Sequence, residues 1–465
     1  MVLYMLRKNI HHLSMVVVSL VVTFLYFNEF RYNFFAYDSF RYIENLFHGP
    51  KTVMLGYNAF RVVSNFMWYP LYWISGFNPL GYNVFNNLLY ALNAILVYIF
   101  TLRLWERKDL SFLCATIFVM NVAAADAVFW HMSMSTLLCA SFYLSTLIAY
   151  IQYLKSNRQW LWWTSLGLYL VAMFTKEDAA SLPFILVLVD VFYFQGIKNL
   201  KVIIKKVIPF CAIIVFYLAS STLVFKMLDI QPETAKFFKF RPLYSLLAGY
   251  SSFFISPNGV LRPDNPFIYL TLVAIVLTFI FVKDKRLLLF GYAWIFFTFL
   301  PQSLSAIGQF ETKYIFNSIG RLLYLPVAGS SIVIAVFLLE LKERFSSKIY
   351  LGLVAGFLIF FFGINYTRVQ RRGGDWRDEA APVAQFLAQL KKVMPAFPPR
   401  SYVYVIDPPT GRAYVQQSLR AFYRNPDITW IVDPQLYRKK SDENAFLITT
   451  TWGMNGVEAV FVQQW

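Results

Sequence analysis

The stretch FFAYDSFRYIENLFHG, Phe34 to Gly49, follows the first long apolar run and sets a carboxylate, Asp38, one helical turn before a guanidinium, Arg41. A carboxylate so placed can take a proton from an attacking hydroxyl as a general base, and a cation on the same helical face can orient it and keep it ionised. Further ionisable groups stand between apolar runs: Arg61, Asp126, His131, the adjacent Lys176 and Glu177, Lys313 and Arg321. Fixed Arg or Lys groups in a water-poor site stabilise an anion strongly. Each group also has a structural use. Asp38 can serve as a helix N-cap, Lys176 and Glu177 as a helix-end ion pair, Arg321 can reach lipid headgroups, and His131 can bond a backbone carbonyl.

The elements that must position these groups are membrane helices. Hydrophobic residues make up 58% of the 465 residues, aromatic residues 19% and charged residues 14%, whereas a soluble domain carries about a quarter charged residues. Apolar runs lie near 13–34, 84–104, 111–125, 132–154, 160–175, 179–195, 207–226, 266–282, 287–301, 322–341 and 350–366. They predict a polytopic α-helical membrane protein with about eleven transmembrane helices. Leu13 to Phe27 continues into aromatic chain with no small-residue cleavage site, so the first run reads as a retained helix rather than a signal peptide.

Basic residues collect in alternate connections: Arg7 and Lys8; Arg103, Arg107 and Lys108; Lys155 and Arg158; Lys198, Lys201, Lys205 and Lys206; Lys283, Lys285 and Arg286; Lys342, Arg344 and Lys348. Short loops rich in Lys and Arg stay in the cytoplasm. The N-terminus is then cytoplasmic, the chain after Tyr366 lies outside, and the ionisable groups named above all fall in outer connections. The net charge of +17 partly follows from this topology and calls for no nucleic acid. The centres of the spans are almost free of ionisable groups, where a coupled transporter usually keeps them.

Cys114, Cys139 and Cys211 fall inside apolar runs without metal-ligand spacing. No Walker loop, dinucleotide fingerprint or H-E-x-x-H is present. The sequence therefore supports no cofactor, and it supplies no ligand set for a divalent metal. Within the opening stretch Phe40, Ile43, Leu46 and Phe47 recur at helical spacing while Asp38, Arg41 and Asn45 take another face. That pattern predicts an interfacial amphipathic helix with its apolar face along lipid.

After Tyr366 the composition turns charged. Val383, Phe386, Leu387 and Leu390 mark an amphipathic helix, Ser401 to Asp407 alternates like a strand, Arg412 to Tyr423 suits a second helix, and ITWIVD and NAFLITTTW read as strands. Residues 1–366 are thus expected to form the membrane domain and 367–465 a small extracytoplasmic α/β domain, large enough at about 100 residues to bury its own core.

Four blocks in order, NPLGYNVFNNLLYALNAILVYIF (Asn78–Phe100), ADAVFW (Ala125–Trp130), FTKEDAASLPFILVLVDVF (Phe174–Phe192) and GRLLYLPVAGSSIVIA (Gly320–Ala335), resemble those of GT-C glycosyltransferases. The nearest subgroup is the O-mannosyltransferases that carry tetratricopeptide repeats, with their bacterial relatives. The resemblance covers roughly residues 13–380, and the tail segment RRGGDWRDEAA resembles the one that follows the family's last span. It implies that Asp38 is the first-loop acid acting as base, Asp126 the acid of the second outer loop, and Lys176 with Glu177 the Lys-Glu pair. Arg321 and Tyr324 correspond to the Arg-Tyr-Leu-Tyr-Leu-Pro block. Ser39 stands where the family often has a second acid, Gly320 where an acid commonly precedes the arginine, and the repeats are absent.

The resemblance implies a glycosyltransferase that moves a sugar from a polyprenyl-phosphate donor to an acceptor hydroxyl on a protein, lipid or glycan, at the outer face of a bacterial inner membrane. Asp38 is the expected base of an inverting displacement. Arg321 leads as the group for the lipid phosphate, with Lys176 and Lys313 behind it and Arg41, Arg61, His131, Glu177 and Tyr324 as further substrate contacts. The alternatives are a transporter or flippase for a lipid-linked saccharide, and a structural membrane subunit.

Overall fold

The computed structural model describes residues 2–47, 60–194, 196, 199–227, 267–305, 319–431, 443–453 and 456–464. All eleven apolar runs carry helix. Among the described residues, five helices are long and apolar enough to cross a bilayer: Pro79–Trp105, His131–Ser156, Leu200–Met227, Arg321–Glu343 and Ser347–Val393. Lys108–Val119 with Val122–Phe129 makes a sixth if this pair, bent by 50°, is one span. The remaining runs form helices that are shorter, broken or less uniformly apolar; Leu182–Val189, for example, passes into a π-helical turn at Asp190–Phe194.

Local chemistry sets the ends of these helices. Asn78 accepts from the Leu80 N–H at 3.0 Å and Pro79 supplies the first turn of Pro79–Trp105, whose other end closes on Glu106 in the left-handed conformation. Asn157 closes Met134–Ser156 in the same way. The bend after Val119 arises where the Asn121 side chain accepts from the Ala123 N–H at 2.9 Å and starts a short 3-10 turn.

Buried asparagines tie the bundle together. Asn93 donates to Tyr324 Oη and to the Leu137 carbonyl, both at 3.0 Å, and accepts from Ser141 at 2.7 Å, so it joins three helices. In a membrane bundle such bonds and small residues replace the hydrophobic drive between helices. Small residues act in the same region. A Cβ on Gly329 would stand 2.7 Å from Trp294 Cδ1 and 2.8 Å from the Gly291 carbonyl oxygen, so Lys285–Ser305 and Tyr324–Glu340 pack backbone to backbone.

The basic connections meet at one end of the bundle. Lys155 pairs with Glu106 at 2.5 Å and Lys283 with Glu343 at 2.5 Å, while Arg107, Lys283, Glu340 and Glu343 line one shallow cavity of about 160 Å³. Asp38, Arg61, Asp126, Lys176 and Arg321 gather at the other.

Ser347–Val393 is a single helix of 47 residues. The boundary expected at residue 366 therefore falls inside a continuous helix, because no proline, cap or glycine turn interrupts it there. Beyond it, β1 (Ser401–Ile406), β2 (Thr429–Trp430), β3 (Asn444–Gly453) and β4 (Gly456–Gln464) form a sheet of order β2-β1-β3-β4. β1 runs parallel to both neighbours, and β3 and β4 form an antiparallel hairpin. The helix Arg412–Tyr423 from this unit packs on the helix Ser39–Asn45, with Arg420 Nη1 2.9 Å from Glu44 Oε1 and the Phe422 ring 5.1 Å from that of Phe77.

This contact corrects the expectation for the opening stretch. Phe40 and Ile43 are fully buried against protein rather than laid along lipid. Phe34, Phe35 and Phe77 pack around Phe40, so the apolar face finds its cover inside the chain.

Candidate active site

Asp38 occupies the N-cap position of Ser39–Asn45, but its backbone is helical (φ −61°, ψ −14°) and its side chain makes no capping bond. The capping role open to it in the sequence is therefore not the one it plays. Tyr37, just before it, is left-handed at φ +49°, which costs a non-glycine residue about 1 kcal/mol or more. The long tail helix and the sheet unit hold it there. The Tyr37 hydroxyl donates to Glu379, and its ring meets Trp376 at 6.2 Å and Tyr414 at 5.8 Å.

Asp126 sits on the short buried helix Ala125–Phe129, whose last carbonyls accept from Asn86 Nδ2 (Val128, 3.1 Å) and Asn33 Nδ2 (Phe129, 2.5 Å). Its Oδ1 accepts from Arg372 Nε at 2.6 Å and from Trp376 Nε1 at 3.1 Å. The tail helix comes this close because Gly373 faces Ala125–Phe129: a Cβ there would lie 2.8 Å from Phe129 Cζ. Trp376 stacks on Trp130 at 5.8 Å, and the Arg321 guanidinium lies over the other ring system of the pair, 4.3 Å from Trp130. Arg321 is thus held by a ring face, which leaves Nη1 for another partner. Its Nη1 is buried without a hydrogen bond, and the charges of Asp126, Asp38 and Asp178 act on it attractively while Arg61 opposes them.

Lys176 and Glu177 do not pair with each other. Lys176 Nζ lies 2.7 Å from Asp178 Oδ2 and donates to Thr136 Oγ1 at 2.9 Å, both charges being buried. Glu177 instead receives a two-pronged contact from Arg61, with Nε at 2.9 Å from Oε2 and Nη2 on Oε1. Burial opposes ionisation of Glu177, but the Arg61 charge and its hydrogen bonds outweigh it and hold the carboxyl down to about 2. Asp38, Arg61, Glu177 and Arg41 all act electrostatically on Tyr42, so Arg41 and Arg61 share the surroundings of Asp38.

His131 is buried with its ring 4.9 Å from Phe35 and its Nε2 unpartnered. Tyr324 lies deeper, in the bundle core beside Tyr90 and Phe118, where its hydroxyl is bonded to Asn93. Lys313 lies outside the described residues. Arg372, Trp376, Trp130 and Asp178 belong to the constellation without having been singled out in the sequence. RRGGDWRDEAA held the signal for the first two, and the ADAVFW and KED blocks for the others. Among the described residues, no group of three or more His, Cys, Asp or Glu could hold a metal ion.

No family model and no curated protein matches this chain. Solved structures do. ArnT from Cupriavidus metallidurans bound to undecaprenyl phosphate aligns with a TM-score of 0.52 at 14% identity, over 94% of this chain and 92% of that one. The same protein in the apo state aligns with a TM-score of 0.55 at 13% identity over the same shares. An oligosaccharyltransferase from Archaeoglobus fulgidus, tethered with an acceptor peptide, aligns with a TM-score of 0.43 at 14% identity over 92% of this chain and 64% of that one. The chain shares the fold of ArnT, and its long apolar helices make it an integral, multi-pass membrane protein.

Proposed function

We propose that this protein transfers a sugar from a polyprenyl-phosphate donor to an acceptor hydroxyl, at the membrane face opposite its basic loops. One observation carries the reading: on a fold shared end to end with ArnT, a protein solved with undecaprenyl phosphate, Asp38 and Arg321 lie within electrostatic reach of each other at one end of the bundle. The Arg321 N–H groups bind the donor phosphate and neutralise it as it leaves. Asp38 takes the proton of the acceptor hydroxyl as its oxygen bonds to the anomeric carbon. The bond from that carbon to the phosphate oxygen breaks in the same displacement. The centre inverts, polyprenyl phosphate departs, and no covalent glycosyl-enzyme forms.

Three ion pairs frame these two residues. Asp126 with Arg372, Glu177 with Arg61 and Asp178 with Lys176 fix the loops that surround the site. By the positive-inside rule the N-terminus is cytoplasmic and the sheet unit lies across the membrane, in the periplasm of a bacterium. The test is incubation of the purified protein with labelled polyprenyl-phosphate sugars and a panel of acceptors in reconstituted vesicles. Sugar transfer supports the reading. Movement of the labelled lipid across the bilayer with no transfer would assign a flippase instead.

A further inference from the structure

Buried polar groups in folded proteins almost always have partners, and each orphan calls for an explanation. Four neutral side chains that are at least 97% buried present such orphans: Ser39 Oγ, both amide atoms of Asn65, His131 Nε2 and Ser133 Oγ. They come from three short elements, Ser39–Asn45, Val62–Phe66 and the turn His131–Ser133.

A chain of ring contacts draws these elements together. Tyr42 stacks on Trp68 at 5.4 Å, Trp68 meets Tyr82 at 5.3 Å, and Tyr82 meets His131 at 6.2 Å. Ser39 lies one turn before Tyr42 on the same helix and shares its face, and Val62–Phe66, which carries Asn65, packs against the helix Trp68–Ser75 that carries Trp68. Arg61, at the start of Val62–Phe66, acts electrostatically on Tyr42, which sets that end of the helix near Ser39–Asn45. The helix Ser39–Asn45 also contacts the turn His131–Ser133 directly.

We infer that Ser39, Asn65, His131 and Ser133 form the subsite for the transferred sugar, and that this sugar is neutral and reads out through its hydroxyls. The inference rests on the lipid-phosphate sugar reading above and names its substrate class. An amide offers one acceptor and two donors side by side, the complement of two neighbouring ring hydroxyls, each of which can donate and accept. Serine hydroxyls and a ring nitrogen suit further hydroxyls. Among the described residues, Asp126, Asp178 and Glu177 each face a cation, so none of these three carboxylates is left over for an amino sugar. A uronate would have to compete with the lipid phosphate for Arg321.

The experiment is equilibrium binding to the full-length protein in nanodiscs. The probes are undecaprenyl phosphate alone and its esters with glucose, mannose, galactose, glucosamine and glucuronate. At least one neutral hexose raises affinity about tenfold or more over the bare lipid phosphate, the worth of one or two well-made hydrogen bonds. Asn65→Leu abolishes that increment, leaves binding of bare undecaprenyl phosphate intact, and keeps or raises thermal stability, since the amide has no partner to lose. Ser133→Ala, a smaller change, reduces the increment and serves if Asn65→Leu does not fold. Preference for glucosamine or glucuronate, or an increment that survives in the folded variants, overturns the inference. So does a drop in stability on Asn65→Leu with the increment intact in Ser133→Ala. Failure of the wild type to bind bare undecaprenyl phosphate would instead remove the lipid-phosphate reading beneath it.

Discussion

Arg372 Nε donates to Asp126 Oδ1 at 2.6 Å, joining two buried charges that stand 246 residues apart in the chain. Trp376 donates to the same oxygen, so one carboxylate closes a column that runs from Arg372 through Trp376 and Trp130 to Arg321. Asp126, one of two acids that sequence reasoning offers for catalysis, is thereby engaged in holding the tail helix against the second loop.

Removing one partner strands a buried charge, whereas replacing both does not. Asp126→Asn and Arg372→Met should each destabilise the detergent-solubilised protein by about 3 to 5 kcal/mol. The double variant Asp126→Leu, Arg372→Met should recover much of that loss. Thermal and denaturant unfolding measure it. Full stability of Asp126→Asn together with lost turnover would return Asp126 to the catalytic role.

Much of this fold was legible because helix signals are local. The apolar run at 160–175 became the helix Gln159–Thr175, and the amphipathic stretch Arg412–Tyr423 became a helix with those bounds. Pairing was not legible. Lys176 is extended (φ −163°, ψ 142°) and leads into the 3-10 turn Glu177–Ser181. In that turn Asp178 meets the Lys176 ammonium while Glu177 pairs with Arg61. The Arg372–Asp126 bond depends on the long helix continuing past Tyr366 and on Gly373 fitting against Phe129. Neither has a sequence signal stronger than the RRGGDW run itself.

Arg321→Ala should weaken donor binding strongly, because truncating one side of a desolvated charge pair costs about 2 to 5 kcal/mol or more. Arg321→Lys should restore only part, since an ammonium has neither the planar fork nor the stacking surface that Trp130 receives. Isothermal titration with undecaprenyl phosphate gives both numbers. Equal affinities across the three proteins would assign Arg321 to lipid headgroups.

The acid side of the pH–rate profile should not belong to Glu177. Its folded-state value is depressed to about 2, so the stabilisation it gives through Arg61 is complete above the ordinary carboxylate range. It is lost only as pH falls through that depressed value. Glu177→Gln should leave the acid limb of kcat/KM where it was while loosening the Arg61 loop and lowering the maximum. A shift of that limb in Glu177→Gln would show that Glu177 titrates within the working range and would make it a second candidate base.

Asp38→Asn tests the centre of the mechanism. The side chain makes no capping bond, and the amide nearly preserves the shape that Tyr37 and the tail helix hold in place. An amide cannot take the acceptor's proton. Turnover should therefore fall by about two to four powers of ten, with expression, thermal stability and undecaprenyl-phosphate binding close to wild type. Single-turnover transfer from a labelled donor separates the chemical step from binding. If turnover persists in Asp38→Asn and only Asp38→Ala loses stability, the carboxylate serves the loop alone. The base must then be sought among the acids that here face cations, with Asp126 first because it acts on Arg321 more strongly than Asp178 does.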